Sequence, residues 1–172
     1  MALFDAFLKL DGIKGESADA KHKGEMDIIN FHWGLSQTGV QATGGGGGAG
    51  KVHFQDIHFI KATDSASPKL MLACATGEHI KEGHFTVRKA GGEQLEYLKI
   101  KLTDILVSGF KDHGGVKGKI TVGMDLVDSV PRETITLNFA KVEYQYQPQD
   151  ATGKAQGGPI MAGWDVKANQ KV

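Results

Sequence analysis

The sequence has little cysteine, little proline and no net charge, and each shortage argues against a class of protein. One residue of 172 is cysteine, which excludes a disulfide scaffold. Only four residues are proline and 40% are apolar, which is unlike low-complexity disorder. Twenty Lys and Arg residues balance twenty Asp and Glu residues, so a nucleic-acid or membrane-surface binder that works through bulk charge is disfavoured. No run approaches the roughly 18 consecutive apolar residues of a membrane-spanning helix.

The length and the first residues predict one domain without a signal peptide. A chain of 172 residues fits a single domain of roughly 100 to 200 residues, and we assign residues 1–172 to it. A core of this size is stable without a disulfide or a metal. The first ten residues lack a basic region, and Asp5 interrupts their short apolar stretch, so they are not a signal peptide. Together with the single cysteine, this predicts a reduced, cytoplasmic protein.

Most apolar residues recur with a period of two, which is typical of β-strands. In residues 4–10, for example, every even position is apolar. In residues 132–147 the apolar positions change from odd to even near 140–141, which predicts a β-bulge or a strand that passes from one sheet to another. The predicted strands cover residues 4–10, 25–33, 51–61, 84–88, 94–107, 132–147 and 159–166. The chain is therefore expected to be mostly β and antiparallel.

One helix has clear boundary signals. Ser67 is the predicted N-cap, Pro68 is the first helical residue, and Gly77 stands just past the end. A short helix in a β chain is expected to cover an open end or a flank of a barrel. Residues 90–92 are predicted to form a hairpin turn, and residues 109–130 a glycine-spaced loop.

Glycine is the residue in excess, and its longest run resembles a nucleotide-binding motif. Glycine makes up 24 of 172 residues, about twice the average share. Residues 45–51 satisfy the pattern G-x-x-x-x-G-K of a phosphate-binding loop, but Val52 stands where that loop needs a Ser or Thr hydroxyl for Mg²⁺. The residues that follow alternate as a strand instead of opening a helix. A long loop between two strands therefore fits better than a nucleotide site.

The remaining reactive side chains fit no catalytic or metal-binding template. The seven histidines form no zinc motif, and His53 and His58, on one predicted strand, point to opposite faces. Cys74 lies within the helix and not at its electropositive N-terminus. The spacing around Ser36, G-x-S-x-x-G, misses the nucleophile elbow. We therefore expect no enzyme, no cofactor and no metal, but a structural or binding role.

Eight segments point together to one family. They are 9–17 (KLDGIKGES), 33–36 (WGLS), 44–56, 67–77 (SPKLMLACATG), 88–92 (RKAGG), 96–100 (EYLKI), 137–140 (LNFA) and 157–164 (GGPIMAGW). In this order they resemble haemolysin-coregulated proteins (Hcp), the tube subunits of bacterial type VI secretion systems. The similarity covers nearly the whole chain, and residues 109–132 depart from it by their length.

The resemblance implies a fold and an assembly. The fold would be an antiparallel β-barrel of two sheets with one short α-helix, like that of phage tail-tube proteins. The assembly would be a hexameric ring that stacks into a hollow tube, with a spike protein at the tip and a contractile sheath around it. Contraction expels the tube, so the protein would be cytoplasmic before firing and then secreted outside or into a target cell. The lumen would also carry effector proteins, while nucleic acid and membrane insertion are not implied.

Residues 36–51 are the predicted contact between stacked rings. Stacking needs complementary surfaces on the two ends of a ring. A long glycine-rich segment can reach a neighbouring ring and conform to it, because glycine adds no side-chain clash and tolerates positive φ. A passive mobile loop is the alternative. The residues assigned to this stacking loop are Ser36, Gln37, Thr38, Gly39, Thr43, Gly44, Gly45, Gly46, Gly47, Gly48 and Lys51.

The alternative function is a β-barrel that binds a ligand as a monomer without assembling. Rings in solution would favour the tube subunit or the effector carrier, whereas a monomer at high protein concentration would favour the ligand-binding module. The choice therefore depends on the oligomeric state.

Overall fold

The computed structural model describes residues 4–39, 49–90, 94–114 and 130–172, which form eleven strands and one helix. The prediction of a mostly β chain with one short helix is confirmed. The strands are β1 (Phe4–Leu10), β2 (Met26–Asp27), β3 (Asn30–His32), β4 (Leu35–Gly39), β5 (Ala49–Phe54), β6 (Ile57–Ala62), β7 (His79–Lys89), β8 (Glu96–His113), β9 (Arg132–Tyr146), β10 (Ile160–Asp165) and β11 (Gln170–Lys171), and the helix is α1 (Ser67–Thr76).

Nine strands form one antiparallel sheet, and β4 and β5 form a separate two-stranded sheet. The order in the larger sheet is β11, β10, β9, β8, β7, β1 and β2, with β6 paired to β9 and β3 paired to β6. The first half of β9 pairs with β6, and its second half pairs with β10. The larger sheet therefore divides into two branches at β9.

The predicted strand 25–33 is wrong as a single strand, because its two parts pair with different neighbours. β2 pairs with β1, whereas β3 pairs with β6. Between them, the Ile28 N–H donates to the Ala6 carbonyl at 2.8 Å, and the Ile29 N–H donates to the Ile60 carbonyl at 2.8 Å. β1 and β6 are thus linked through two backbone hydrogen bonds and not through a strand ladder, and within the described residues the sheet is not closed into the predicted barrel of two sheets.

The predicted strand 51–61 is also two strands, β5 and β6, which belong to different sheets. The break lies at Gln55, whose N–H donates to the Gly34 carbonyl at 3.0 Å and whose carbonyl accepts a hydrogen bond from Trp33 Nε1 at 3.0 Å. The first bond extends the register of β4 and β5 by one residue, and the second gives the Gln55 carbonyl a side-chain donor, so the ladder ends there. The apolar positions change from even (Val52, Phe54) to odd (Ile57, Phe59) across Gln55 and Asp56, so the sequence does mark this break, and the prediction of one strand overlooked it.

In β7, β8 and β9 the buried side chains change from one set of alternate positions to the other, and the change occurs at the same height of the sheet in all three strands. In β8 the buried positions are even up to Leu102 and odd from Ile105 onwards, and Asp104 between them has a φ of 53°. In β9 the buried positions change between Phe139 and Val142, which confirms the predicted change of phase. β7 changes in the same way. The pairing register between β8 and β9 is the same on both sides of this level, so the strands turn over together, and neither carries a bulge there.

The helix confirms its predicted end but not its predicted start. Gly77 has a φ of 70°, and its N–H donates to the Ala73 carbonyl at 3.0 Å, as a left-handed glycine cap does. Ser67, the predicted N-cap, lies inside the helix. The residue before the helix is Ala66, and no side chain caps the helix N-terminus. Two hydrogen bonds hold the turn before the helix: Asp64 Oδ1 accepts from the Ala66 N–H at 2.9 Å, and the Ser67 hydroxyl accepts from the Asp64 N–H at 3.0 Å.

Two predicted connections differ from the structure or lie outside it. The predicted loop 109–130 begins as strand, because β8 continues to His113 beyond a register shift between Val107 and Gly109. Ser108 and Gly109 lie at that shift and interrupt the apolar alternation, so the sequence pattern does not predict that the strand continues. The remainder of this loop and most of the predicted turn at 90–92 lie outside the described residues.

Candidate assembly surfaces

The first candidate surface is an arm made of β4 and β5. Leu35 pairs with Phe54, Ser36 with His53 and Gln37 with Val52, and a register shift follows before Gly39 pairs with Ala49. The prediction of a loop over residues 36–51 is therefore wrong at both ends, which are paired strands. Backbone pairing gives these ends a defined direction that a passive loop would lack.

An aromatic cluster anchors the base of the arm to the larger sheet. The ring of Trp33 stacks on Phe54 at 6.3 Å and meets the edge of Phe139 at 6.0 Å, and Phe54 meets Phe139 at 6.2 Å. Such aromatic contacts contribute about 0.5–1.5 kcal/mol each beyond the burial of apolar area. The arm is thus held where it leaves the sheet.

A carboxylate anchors the chain just after the arm. Ser108 Oγ donates to one oxygen of Asp56 at 2.5 Å, and Asn138 Nδ2 donates to the other at 2.8 Å. Because Ser108 belongs to β8 and Asn138 to β9, Asp56 ties the segment between β5 and β6 to two long strands.

The predicted stacking residues divide into those on the arm and those outside the described residues. Ser36 and Gln37 are exposed on β4. Thr38 and Gly39 lie in β4, and Lys51 in β5. Thr43 and the glycine run Gly44, Gly45, Gly46, Gly47 and Gly48 lie outside the described residues. Their role in stacking stays a prediction.

The second candidate surface, the tyrosine patch, consists of Tyr144, Tyr146, Ile160 and Ala162. In the ladder of β9 and β10, Ile160 lies opposite Tyr146 and Ala162 opposite Tyr144. Ile160 is 64% exposed, and the two tyrosines are 40% and 43% exposed. Their neighbours across β8, Leu98 and Ile100, are buried. The patch is therefore the uncovered edge of the core face, and the alternation of apolar residues in these two strands gave no sign of its exposure.

A buried ion cluster holds the segment before β2 against β1 and β7. The Arg88 guanidinium, only 4% exposed, donates to Asp5 at 3.1 and 3.2 Å and to Asp19 at 2.5 and 3.0 Å, and lies 4.8 Å from the centre of the Phe7 ring. The hydrogen bond from Arg88 lowers the pKa of Asp19 to about 2. The same bond raises the pKa of Arg88. Asp19 and Arg88 therefore stay ionised over the physiological range.

The described residues offer little for catalysis. The chain after the glycine run is the strand β5, whereas a phosphate-binding loop opens a helix. Cys74 is half-buried within α1. Within residues 4–39, 49–90, 94–114 and 130–172, no three His, Cys, Asp or Glu side chains are grouped to hold a metal ion. His53 and His58 lie in different sheets, which corrects the prediction that they share one strand.

Comparison with known proteins agrees with these features. The family model described as type VI secretion system effector, Hcp, matches residues 7–146. Protein hcp1 of Pseudomonas aeruginosa is 45% identical over 167 residues, which are 96% of each chain. The structure of Hcp1 from Salmonella typhimurium is similar with a TM-score of 0.76 and 35% identity, over 99% of this chain and 100% of that one. A solved type six secretion system protein is similar with a TM-score of 0.87 and 30% identity, over 98% and 99%.

The comparisons confirm the family that the eight segments indicated. The matched region covers the larger sheet from β1 to β9 and the arm. None of the helical segments in the described part of the chain has the length and apolarity to cross a membrane. This chain belongs to the Hcp family of type VI secretion system proteins.

Proposed function

We propose that the protein is a subunit of the type VI secretion tube, forming hexameric rings that stack through the arm. The observation that carries this proposal is the arm itself, two paired strands that leave the larger sheet from an anchored base. A paired arm with a glycine-rich end can reach an adjacent ring and adapt to its surface. Because the base of the arm is anchored, force on the contact between rings would pass to the larger sheet.

The tyrosine patch supports ring closure. A ring needs head-to-tail contacts between two different surfaces of each subunit. Ile160 and Tyr146 continue the core face without a cover, and aromatic residues are enriched at protein interfaces. The balance of twenty cationic and twenty anionic residues leaves little repulsion between packed copies.

Closure of the sheet into a tail-tube-like barrel is the finer part of the proposed fold. The Ile28 and Ile29 N–H groups already link β1 to β6. In a ring, a neighbouring subunit would pack against this link between β1 and β6 and so hold the barrel closed.

In this role the protein is secreted and acts without catalysis. It would be cytoplasmic before firing and would leave the cell with the tube when the sheath contracts, with a spike protein at the tip. Effector proteins would travel in the lumen. The support is the family membership.

Two variants separate stacking from ring closure. Deleting residues 44–48 should leave rings intact but abolish stacked tubes in electron micrographs of the purified protein. Tyr146→Asp should give monomers in size-exclusion chromatography with light scattering, because the new carboxylate would be desolvated in the ring contact. Met71→Asp is the control, since Met71 is 50% exposed on α1 and belongs to neither candidate surface. Tubes that form equally well after the deletion would contradict the stacking role.

A monomeric ligand-binding module has one observation in its favour. A recess of about 230 Å³ lies on the polar face of β7, β8 and β9, lined by His84, Thr86, Lys99, Lys101 and Glu143 among others. Binding pockets for small molecules usually measure about 300–1,000 Å³, so this recess is small for the purpose. A monomer at high protein concentration would favour this function over the tube.

A further inference from the structure

His32 and His58 form a pair that the proposed function leaves unused. They lie directly opposite each other in β3 and β6. Their rings are stacked, with centroids 4.3 Å apart and planes inclined by 9°. His32 is exposed and His58 is half-buried. A neutral imidazole carries a lone pair on one ring nitrogen and is the most common metal ligand among side chains.

A hydroxyl group orients the inner histidine. Thr136 lies opposite His58 in β9, with Oγ1 3.2 Å from Nδ1 of His58. Gly109 lies opposite Thr136 in β8, and a Cβ there would come within 3.0 Å of Oγ1. The glycine therefore leaves room for the hydroxyl. When Nδ1–H donates to Oγ1, the lone pair of His58 is on Nε2, and metal-ligating histidines usually have their second nitrogen held in this way.

We propose that His32 and His58 together bind one divalent first-row transition-metal ion, such as Cu²⁺, Ni²⁺ or Zn²⁺. His58 binds through Nε2. The exposed His32 ring turns out of the stack so that one of its nitrogens converges on the same ion. Cu²⁺ binds most tightly of the three, as the usual affinity order for nitrogen ligands requires.

Water completes the coordination shell. Nearby on the same face, the Asp56 carboxylate is already held by Ser108 and Asn138. No third His, Cys, Asp or Glu joins the pair among the described residues. The site is thus an open two-histidine chelate and not a closed structural zinc site.

The ion would tie β3 to β6 next to the base of the arm. β3 has only three residues, and Trp33, which anchors the arm, follows His32 directly. Short pairings of this kind open at a low free-energy cost. A ligand that binds only the paired form stabilises it by mass action, so the metal should stiffen this corner of the fold whether or not rings assemble.

The test is calorimetric titration of the full-length protein with CuCl₂, NiCl₂ and ZnCl₂ at neutral pH. His32→Gln should raise each dissociation constant at least tenfold, and Thr136→Val should raise it by roughly 10- to 100-fold. His84→Gln is the control, because His84 is another half-exposed histidine, whose Nε2 already lies 2.5 Å from Glu82. The control should bind like the wild type.

A thermal measurement gives a second readout. Ni²⁺ should raise the unfolding midpoint of the wild type and of His84→Gln, but not that of His32→Gln. Because His32 is exposed, its replacement should leave the fold intact, which the metal-free midpoint checks. Equal affinities for the wild type and His32→Gln, or an equal loss in His84→Gln, would show binding at scattered surface histidines and overturn the proposal.

Discussion

Replacing Lys61 by methionine tests the buried ion pair that joins β6, β9 and the start of α1. The Lys61 ammonium lies 2.8 Å from Glu133 Oε1, 2.7 Å from Asp64 Oδ1 and 2.8 Å from the Ala62 carbonyl. Lys61 and Glu133 are both 0% exposed, and Glu133 Oε2 has no hydrogen-bond partner. Methionine fills a similar volume but leaves the Glu133 carboxylate buried without a cation.

The expected cost is large, because a buried charge would lose its counterion. Breaking a buried ion pair from one side destabilises proteins by about 3–5 kcal/mol. The orphaned second oxygen of Glu133 places Lys61→Met in the upper part of this range. For a chain of 150–250 residues, each kcal/mol shifts the unfolding midpoint by about 2–4 °C. The variant should therefore unfold roughly 10 °C or more below the wild type.

The assay is urea unfolding of the wild type, both single variants and the double variant Lys61→Met/Glu133→Leu. The double variant should recover most of the loss, because an apolar pair of similar volume often replaces a buried ion pair at little cost, while Asp64 loses the Lys61 ammonium but keeps its hydrogen bond from the Ala66 N–H. The coupling energy from this double-mutant cycle should reach several kcal/mol. A cost below about 1 kcal/mol for Lys61→Met, or a double variant no more stable than the single, would refute the reasoning.

Two further predictions concern other buried contacts. The pKa of Asp19 is about 2 in the folded protein, against an ordinary value of 3.8 for an aspartate, so its contribution to stability is present above about pH 4 and is lost as the pH falls towards 2. Asp19→Asn should therefore flatten the fall of the unfolding midpoint between pH 4 and 2, and an unchanged slope would contradict this. Gly83→Ala should destabilise by about 1–3 kcal/mol, because its Cβ would lie 2.7 Å from Leu10 Cδ2 and 2.8 Å from Ile105 Cδ1. Gly114→Ala, with no atom within 4 Å of the added Cβ, is the control in the same denaturant assay and should be neutral.

The sites show where sequence patterns succeed and where they fail. Residues 36–51 stood out by their glycines, and the strands on either side of the run form the arm. Ile160 and Tyr146 were placed on strands, but nothing in their alternation marks them as exposed. The pair of His32 and His58 was missed, because the two residues are 26 positions apart and meet only through the pairing of β3 with β6.

The sequence by itself determined the β class, the helix with its glycine stop, the change of phase in β9 and the family. These features rest on local periodicity, on φ preferences and on long runs of matching residues, all of which are written along the chain. The tertiary structure decided which strands pair and where the predicted strand 25–33 breaks, at Ile28. It also decided which apolar residues stay exposed. Those outcomes depend on hydrogen bonds and packing between residues distant in sequence, which no local pattern records.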